Sequence, residues 1–185
     1  MAAFLPGKFL YLATPRTAST SVIRVLVDKC GAKDIRPPHI LRKHIPLQGD
    51  EFVFTAVRNP YEIVVIDWLT TGGPWSKKGP IPARRTLLEH VQRWDELHPW
   101  EGFDRLFMHD EVDFVMRYEN LDWDWAHATK VLGIPQHELP RYKVTTGRKP
   151  WQSYMTEKVV RIVNHRFGHE FEPYGYPLLR TGRTV

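Results

Sequence analysis

The stretch Leu10-Tyr11-Leu12-Ala13-Thr14-Pro15-Arg16-Thr17-Ala18-Ser19-Thr20-Ser21, running on into Val22-Ile23-Arg24-Val25-Leu26, decides how this chain is read. It opens apolar, as a buried strand does, passes through a Pro-Arg turn into small hydroxyl residues, and continues with apolar positions at helical spacing. A strand, a tight loop and a helix start make a ready anion site. Backbone N–H groups at a helix N-terminus lack intrahelical partners, and the helix dipole adds partial positive charge there. Ser19, Thr20 and Ser21 supply further hydroxyl donors, and Arg16 supplies a fixed charge that can grip a phosphate through more than one bond. The loop is expected to hold a phosphate-bearing donor.

Working outward, Phe9 to Ala13 reads as the strand, and Thr20 to Lys29 as the helix, with Val22, Ile23, Leu26, Val27 and Cys30 on one side and Gly31 as its stop. Ile35 to His44, with Pro37-Pro38, is extended or loop. Glu51 to Val57 is the second strand, followed directly by Arg58-Asn59-Pro60 and an apolar helical run to Leu69. Thr71 to Pro82, rich in Gly, Pro and Lys, is a surface loop. Thr86 and Glu89 form a capping-box pattern ahead of Leu87, Val91, Trp94 and Leu97 at helical spacing. Val112 to Arg117 is a third strand, and Asp122 is placed to cap a helix through Leu132, closed by Gly133 and Pro135. Arg141 to Trp151 is a basic loop. The last helix runs from Thr156 to Phe167, with Val159, Val160, Val163 and Phe167 facing inward and Gly168 ending it. Strands alternating with helices predict an α/β fold, a three-layer sandwich with a central parallel sheet. Ligands in such sheets bind at the carboxyl ends of the strands, where Pro15-Arg16 and Arg58-Asn59-Pro60 both lie. Two basic loops on one sheet edge suit a ligand with two phosphates.

A length of 185 residues fits a single domain, 1–185, and 42% hydrophobic with 25% charged residues excludes global disorder. The net charge of +5, with nine His besides, favours anionic ligands: nucleotides, sulfated or carboxylated glycans, nucleic acid or a lipid surface. The single cysteine, Cys30, excludes an internal disulfide and a Cys-based zinc cluster, and its helical position marks it as a small buried side chain. Met1 to Phe9 does not read as a signal peptide, and no stretch approaches the ~20 apolar residues of a membrane span. A cytoplasmic location without a membrane anchor is therefore expected. Scattered His gives no metal-ligand spacing, and His109 and His127 read as ordinary helix or loop residues.

At these residues the chain resembles the sulfotransferases that use 3′-phosphoadenosine 5′-phosphosulfate (PAPS), most closely the carbohydrate branch with the heparan and uronyl 2-O-sulfotransferases. Pro15-Arg16-Thr17-Ala18-Ser19-Thr20-Ser21 looks like the family's 5′-phosphosulfate loop, usually Pro-Lys-Thr-Ala-Ser-Thr-Ser or close to it. Phe54-Thr55-Ala56-Val57-Arg58-Asn59-Pro60-Tyr61-Glu62 looks like its 3′-phosphate motif. Arg117-Tyr118-Glu119-Asn120-Leu121, then Leu132-Gly133-Ile134, is similar to the strand and helix that follow, and Phe171-Glu172-Pro173-Tyr174-Gly175-Tyr176 to the common ending. The resemblance implies a P-loop-like sulfotransferase fold, PAPS as co-substrate, no metal, a carbohydrate acceptor and no nucleic-acid partner. It places Arg16 beside the 5′-phosphate and the oxygen bridging to sulfur, Thr17, Ala18, Ser19, Thr20 and Ser21 around the phosphosulfate, and Arg58 on the 3′-phosphate. The chain departs from the family at Ile66, where a serine follows that arginine by eight residues, and at Ile63, where an arginine often follows it by five. Arg148 and Lys149 are the candidates to make up the missing contacts.

Sulfuryl transfer needs an acceptor hydroxyl in line with the leaving phosphate, charge neutralisation, and a general base. The 2-O-sulfotransferases carry a functional histidine between the two donor motifs, which points to His44 first and His39 second; a histidine suits the task because it titrates near neutrality. Glu62 and Asp67 are weaker candidates. Among the seven Trp, most are expected in the core, while Trp75 and Trp151 sit in loops where an indole can stack on adenine or a sugar, and the Trp75–Lys78 loop is a candidate acceptor gate. Two rival readings stand beside this one. A P-loop kinase or nucleotidase would need Gly-x-x-x-x-Gly-Lys-Ser/Thr and an acidic strand end for magnesium, both absent. A non-catalytic binder of anionic glycan or nucleic acid would keep the fold without turnover.

Overall fold

Phe9-Leu10-Tyr11-Leu12 is apolar at every position, and all four residues are buried, as a strand covered on both faces requires. It is the middle strand of a five-stranded sheet in a computed structural model that describes residues 2–35, 44–47, 49–73, 85–98, 112–142 and 147–182. The strands are β1 (Ala2–Leu5), β2 (Phe9–Leu12), β3 (Lys33–Ile35), β4 (Phe52–Val57) and β5 (Phe114–Arg117). The helices are α1 (Ser19–Cys30), α2 (Pro60–Thr71), α3 (Leu87–Gln92), α4 (Trp94–Leu97), α5 (Leu121–Leu132) and α6 (Glu157–Phe167). The described residues fall into two compact units, one within 2–58 and 112–142, the other within 59–98 and 147–182.

The first unit holds the sheet, in the order β3-β1-β2-β4-β5. β2, β4 and β5 are parallel, with Leu12 opposite Thr55 and Val57 opposite Arg117. β1 runs antiparallel to both β2 and β3, so the sheet is mixed and four of its five strands point one way. The α/β class and the parallel centre match the expectation, while β1 and β3 correct it. Ala2-Ala3-Phe4-Leu5 reads in sequence as a short apolar patch. It becomes a strand because Pro6-Gly7 closes a tight turn in which the Lys8 N–H donates to the Leu5 carbonyl at 3.0 Å. Gly7, at φ 69°, supplies the positive φ that the third position of such a turn demands. Buried Glu51 secures the turn by accepting from the Gly7 N–H at 3.1 Å.

Side chains alternate across β2, so Phe9 and Tyr11 share one sheet face while Leu10 and Leu12 take the other. On the first face they pack with Phe54, Ala56 and Met116 under Val22, Val25 and Leu26 of α1 and Trp125 and Ala128 of α5. On the second, Ala2, Phe4 and Val53 gather with Ile45. Gly31 (φ 74°) and Gly133 (φ 59°) end α1 and α5 in the left-handed conformation expected of them. The start of α5 differs from expectation. A single turn of 3-10 helix, Tyr118–Asn120, leads into it, and Asp122 makes no cap. Buried Asp124 instead accepts from the Arg117 N–H at 2.6 Å, joining helix to strand.

In the second unit, Asn59 caps α2 by accepting from the N–H groups of Tyr61 (3.0 Å) and Glu62 (3.4 Å), with Pro60 in the first helical position. Ile63, Val64, Val65, Ile66 and Leu69 of this helix are all buried. Ile63 and Ile66 are thus packing residues. Thr86 and Glu89 form the expected capping box, with the Glu89 N–H donating to Thr86 Oγ1 at 3.2 Å and the Thr86 N–H to Glu89 Oε2 at 2.7 Å. The helix it opens breaks at Arg93, so the Leu87-to-Leu97 pattern is divided between α3 and α4. In α6, capped by Thr156, the expected Val159, Val160, Val163 and Phe167 are buried; Gly168 stays right-handed and the chain continues into a further 3-10 turn. Among the described residues no helix is long and apolar enough to cross a membrane.

A buried carboxylate ties α2, α3 and α4 together. Asp67 Oδ2 lies 3.1 Å from His90 Nε2, 3.0 Å from His98 Nε2 and 3.2 Å from Thr71 Oγ1. His98 Nδ1 meets the Trp94 carbonyl at 3.1 Å and therefore carries a proton, since a carbonyl only accepts. Removing the carboxylate strands two buried imidazoles. Asp67→Ala is expected to lower the unfolding free energy by about 3–5 kcal/mol in urea denaturation, the cost of breaking a buried charged hydrogen-bonded group.

Candidate functional site

The turn between β2 and α1 carries the non-glycine residues of positive φ found among the described residues. These are Arg16 (φ 65°) and Ala18 (φ 60°), and Thr17 between them has negative φ. Left-handed backbone costs a residue with a Cβ roughly 1–2 kcal/mol. Left-handed residues alternating with right-handed ones are the backbone arrangement that turns successive N–H groups to one side as an anion nest. The N–H groups of Thr17, Ala18, Ser19 and Thr20 take no acceptor among the described residues, and the first intrahelical bonds run from the N–H groups of Ser21 (2.8 Å) and Val22 (3.4 Å) to the Ala18 carbonyl. Ala18 caps α1 without a side-chain bond, so the helix start is left to its dipole and to whatever anion meets it.

Hydroxyls hold the turn from beneath. Thr17 Oγ1 (2.8 Å) and Ser19 Oγ (2.7 Å) both reach the Thr14 carbonyl and lie 2.9 Å from each other. Tyr11 donates to Ser19 Oγ at 3.4 Å from the buried strand below. Thr55 donates to the Leu12 carbonyl at 2.7 Å and pairs with Thr14 Oγ1 at 3.0 Å, binding β4 to the end of β2. The Thr17 and Ser19 hydroxyls are therefore turned inward, and the backbone N–H groups are the outward donors. Burial raises the Tyr11 phenol to about 12, its bonds to Ser19 and Thr17 offsetting part of the rise, so it stays a protonated donor at neutral pH.

Arg58, at the end of β4, joins the turn. Its Nη1 donates to the Arg16 carbonyl at 3.2 Å, its guanidinium carbon lies 3.6 Å from the centroid of the Tyr118 ring, and the residue is 6% exposed. Sequence reasoning quoted Arg117-Tyr118 within a motif but gave Tyr118 no role. The signal was there in its place at the end of β5, level with Arg58. Tyr11 and Thr55, as strand residues, and Thr14, just past the end of β2, were also missed, their hydroxyls reading as ordinary burial.

Thr20 is half-buried and Ser21 buried in the first turn of α1. His44 is exposed, next to Ile45 of the core. His39, Trp75 and Lys78 lie outside the described residues. In the second unit, Arg148 Nη2 donates to Glu62 Oε1 at 2.5 Å, Lys149 is exposed, and Trp151 stacks on Tyr61 at 5.4 Å between ring centroids. Glu62 and Asp67, considered as bases, are each committed to a cationic or imidazole partner. Among the described residues no group of three His, Cys, Asp or Glu is placed to hold a metal ion.

Comparison of the chain with protein-family models, with curated proteins and with solved structures finds no significant match in any of the three.

Two outcomes are expected of the turn itself. Ala18→Gly removes the Cβ from a left-handed position and should raise the unfolding free energy by about 0.5–1 kcal/mol, read from urea midpoints. Tyr11 is protonated in both folded and unfolded chains below pH 10; between 10 and 12 the unfolded chain ionises first, so stability should fall there, and less steeply in Tyr11→Phe.

Proposed function

We propose that this chain is a sulfotransferase that moves the sulfuryl group of PAPS to a hydroxyl of a carbohydrate acceptor and leaves adenosine 3′,5′-bisphosphate. The observation that carries the reading is the turn with positive φ at both Arg16 and Ala18 at the carboxyl end of a parallel strand, bonded to Arg58 from the end of the next. Such strand ends are where open α/β sheets bind ligands. The order of motifs along the sequence supports the same reading, as does the lack of the glycines an ATP-binding Walker loop requires. The finer fold, a three-layer P-loop-like sandwich, and a cytoplasmic setting belong to this proposal.

In this mechanism the N–H groups of Thr17 to Thr20 hold the 5′-phosphosulfate, with Ser21 in the same helical turn, and Arg16 lies beside the oxygen that bridges phosphorus and sulfur. Arg58 takes the 3′-phosphate. The acceptor oxygen forms its bond to sulfur as the bond from sulfur to the bridging oxygen breaks, and the electron pair departs on the 5′-phosphate. Positive charge fixed in the turn stabilises that developing negative charge without reorganising. His44, or His39 in its place, receives the acceptor proton.

Calorimetric titration separates this reading from its rivals. Adenosine 3′,5′-bisphosphate should bind without magnesium, and Arg58→Ala should weaken it by about tenfold or more, the loss of a charge-assisted contact. Binding of ATP that depends on magnesium, with none of the bisphosphate, would overturn the proposal. Once the bisphosphate binds, unchanged turnover in both His44→Ala and His39→Ala across an acceptor panel would remove the base assignment.

A further inference from the structure

We infer that Tyr118 is a positioning residue that fixes the Arg58 guanidinium against the anion turn. The inference deepens the functional reading above and rests on it for its ligand. Register brings the two side chains together. β4 and β5 pair in parallel with Val57 opposite Arg117, so Arg58 and Tyr118 leave the sheet as neighbours, one step beyond the last paired residues.

The guanidinium of Arg58 is held on two sides by different chemistry. Its flat face lies over the Tyr118 ring, 3.6 Å from guanidinium carbon to ring centroid, and in its own plane Nη1 donates to the Arg16 carbonyl at 3.2 Å. A guanidinium makes hydrogen bonds only in its plane, so a ring on its face orients that plane without taking any of its N–H groups. The stack also limits the rotamers of a long side chain that otherwise samples many. Since the carbonyl it meets belongs to left-handed Arg16, the plane set by Tyr118 is passed to the backbone that aims the N–H groups. The attraction comes from the ring face and not from the phenol oxygen, so phenylalanine is the conservative replacement and leucine the disruptive one.

The test uses the full chain in three forms: wild type, Tyr118→Phe and Tyr118→Leu. In nitrogen–proton spectra the Arg58 Nε–H signal, assigned by its loss in Arg58→Lys, should be displaced by the ring current in wild type and Tyr118→Phe and return to a solvent-like position in Tyr118→Leu. Affinity for adenosine 3′,5′-bisphosphate should stay within about twofold in Tyr118→Phe and fall about five- to tenfold in Tyr118→Leu. An unmoved Nε–H signal or unchanged affinity in Tyr118→Leu overturns the inference, and so does an equal loss in Tyr118→Phe. If wild type binds no bisphosphate, the functional reading falls, while the Nε–H signals alone still decide for or against Tyr118.

Discussion

Left-handed backbone at two residues that carry side chains is the constraint on which the candidate site depends. Glycine is the usual occupant of such positions, yet the turn after β2 places Arg16 and Ala18 there. Strain of this kind persists only where the surroundings over-determine it. Here the Thr14 carbonyl receives two hydroxyls, Tyr11 braces Ser19 from the sheet, and Arg58 grips the Arg16 carbonyl from the neighbouring strand. Each of these bonds stabilises the turn, and together they hold the direction in which its N–H groups face.

The parallel centre of the sheet supplies the rest of the geometry. With β2, β4 and β5 running the same way, the residues that follow each strand emerge at one edge: the turn from β2, Arg58 from β4 and Tyr118 from β5. A buried arginine in that company works differently from one on the surface. Water screens it little, so its charge raises the potential of the turn even at positions it does not touch.

Long or distinctive local signals were the legible part of this chain. β2 and β4 announce themselves because strands covered on both faces are apolar at nearly every position, and Thr86 with Glu89, or Asn59 with Pro60, mark helix starts through side-chain chemistry that acts within a few residues. β1 and β3 were not legible: four residues in one and three in the other give a period-two pattern too little length to show, and two of the four in β1 are alanines. Asp122 was expected to cap α5, but only the path of β5 decides which carboxylate of that first turn is used, and it is Asp124 that reaches the Arg117 N–H. In the turn, charge and hydroxyl content were readable, but the inward aim of Thr17 and Ser19 follows from tertiary bonds. Asp67, His90 and His98 lie too far apart in sequence for any spacing rule to join them.

That last cluster bears on how the second unit holds its structure. α3 has six residues and α4 four, far below the ~12–15 at which a helix becomes even marginal alone in water. Neither can therefore serve as a folding nucleus. Both gain their helical form by packing against α2, around a single carboxylate oxygen that meets one imidazole nitrogen of each segment. Residues 87–98 therefore hold their helical form only while they stay packed, so loss of the contact with α2 unravels both short helices.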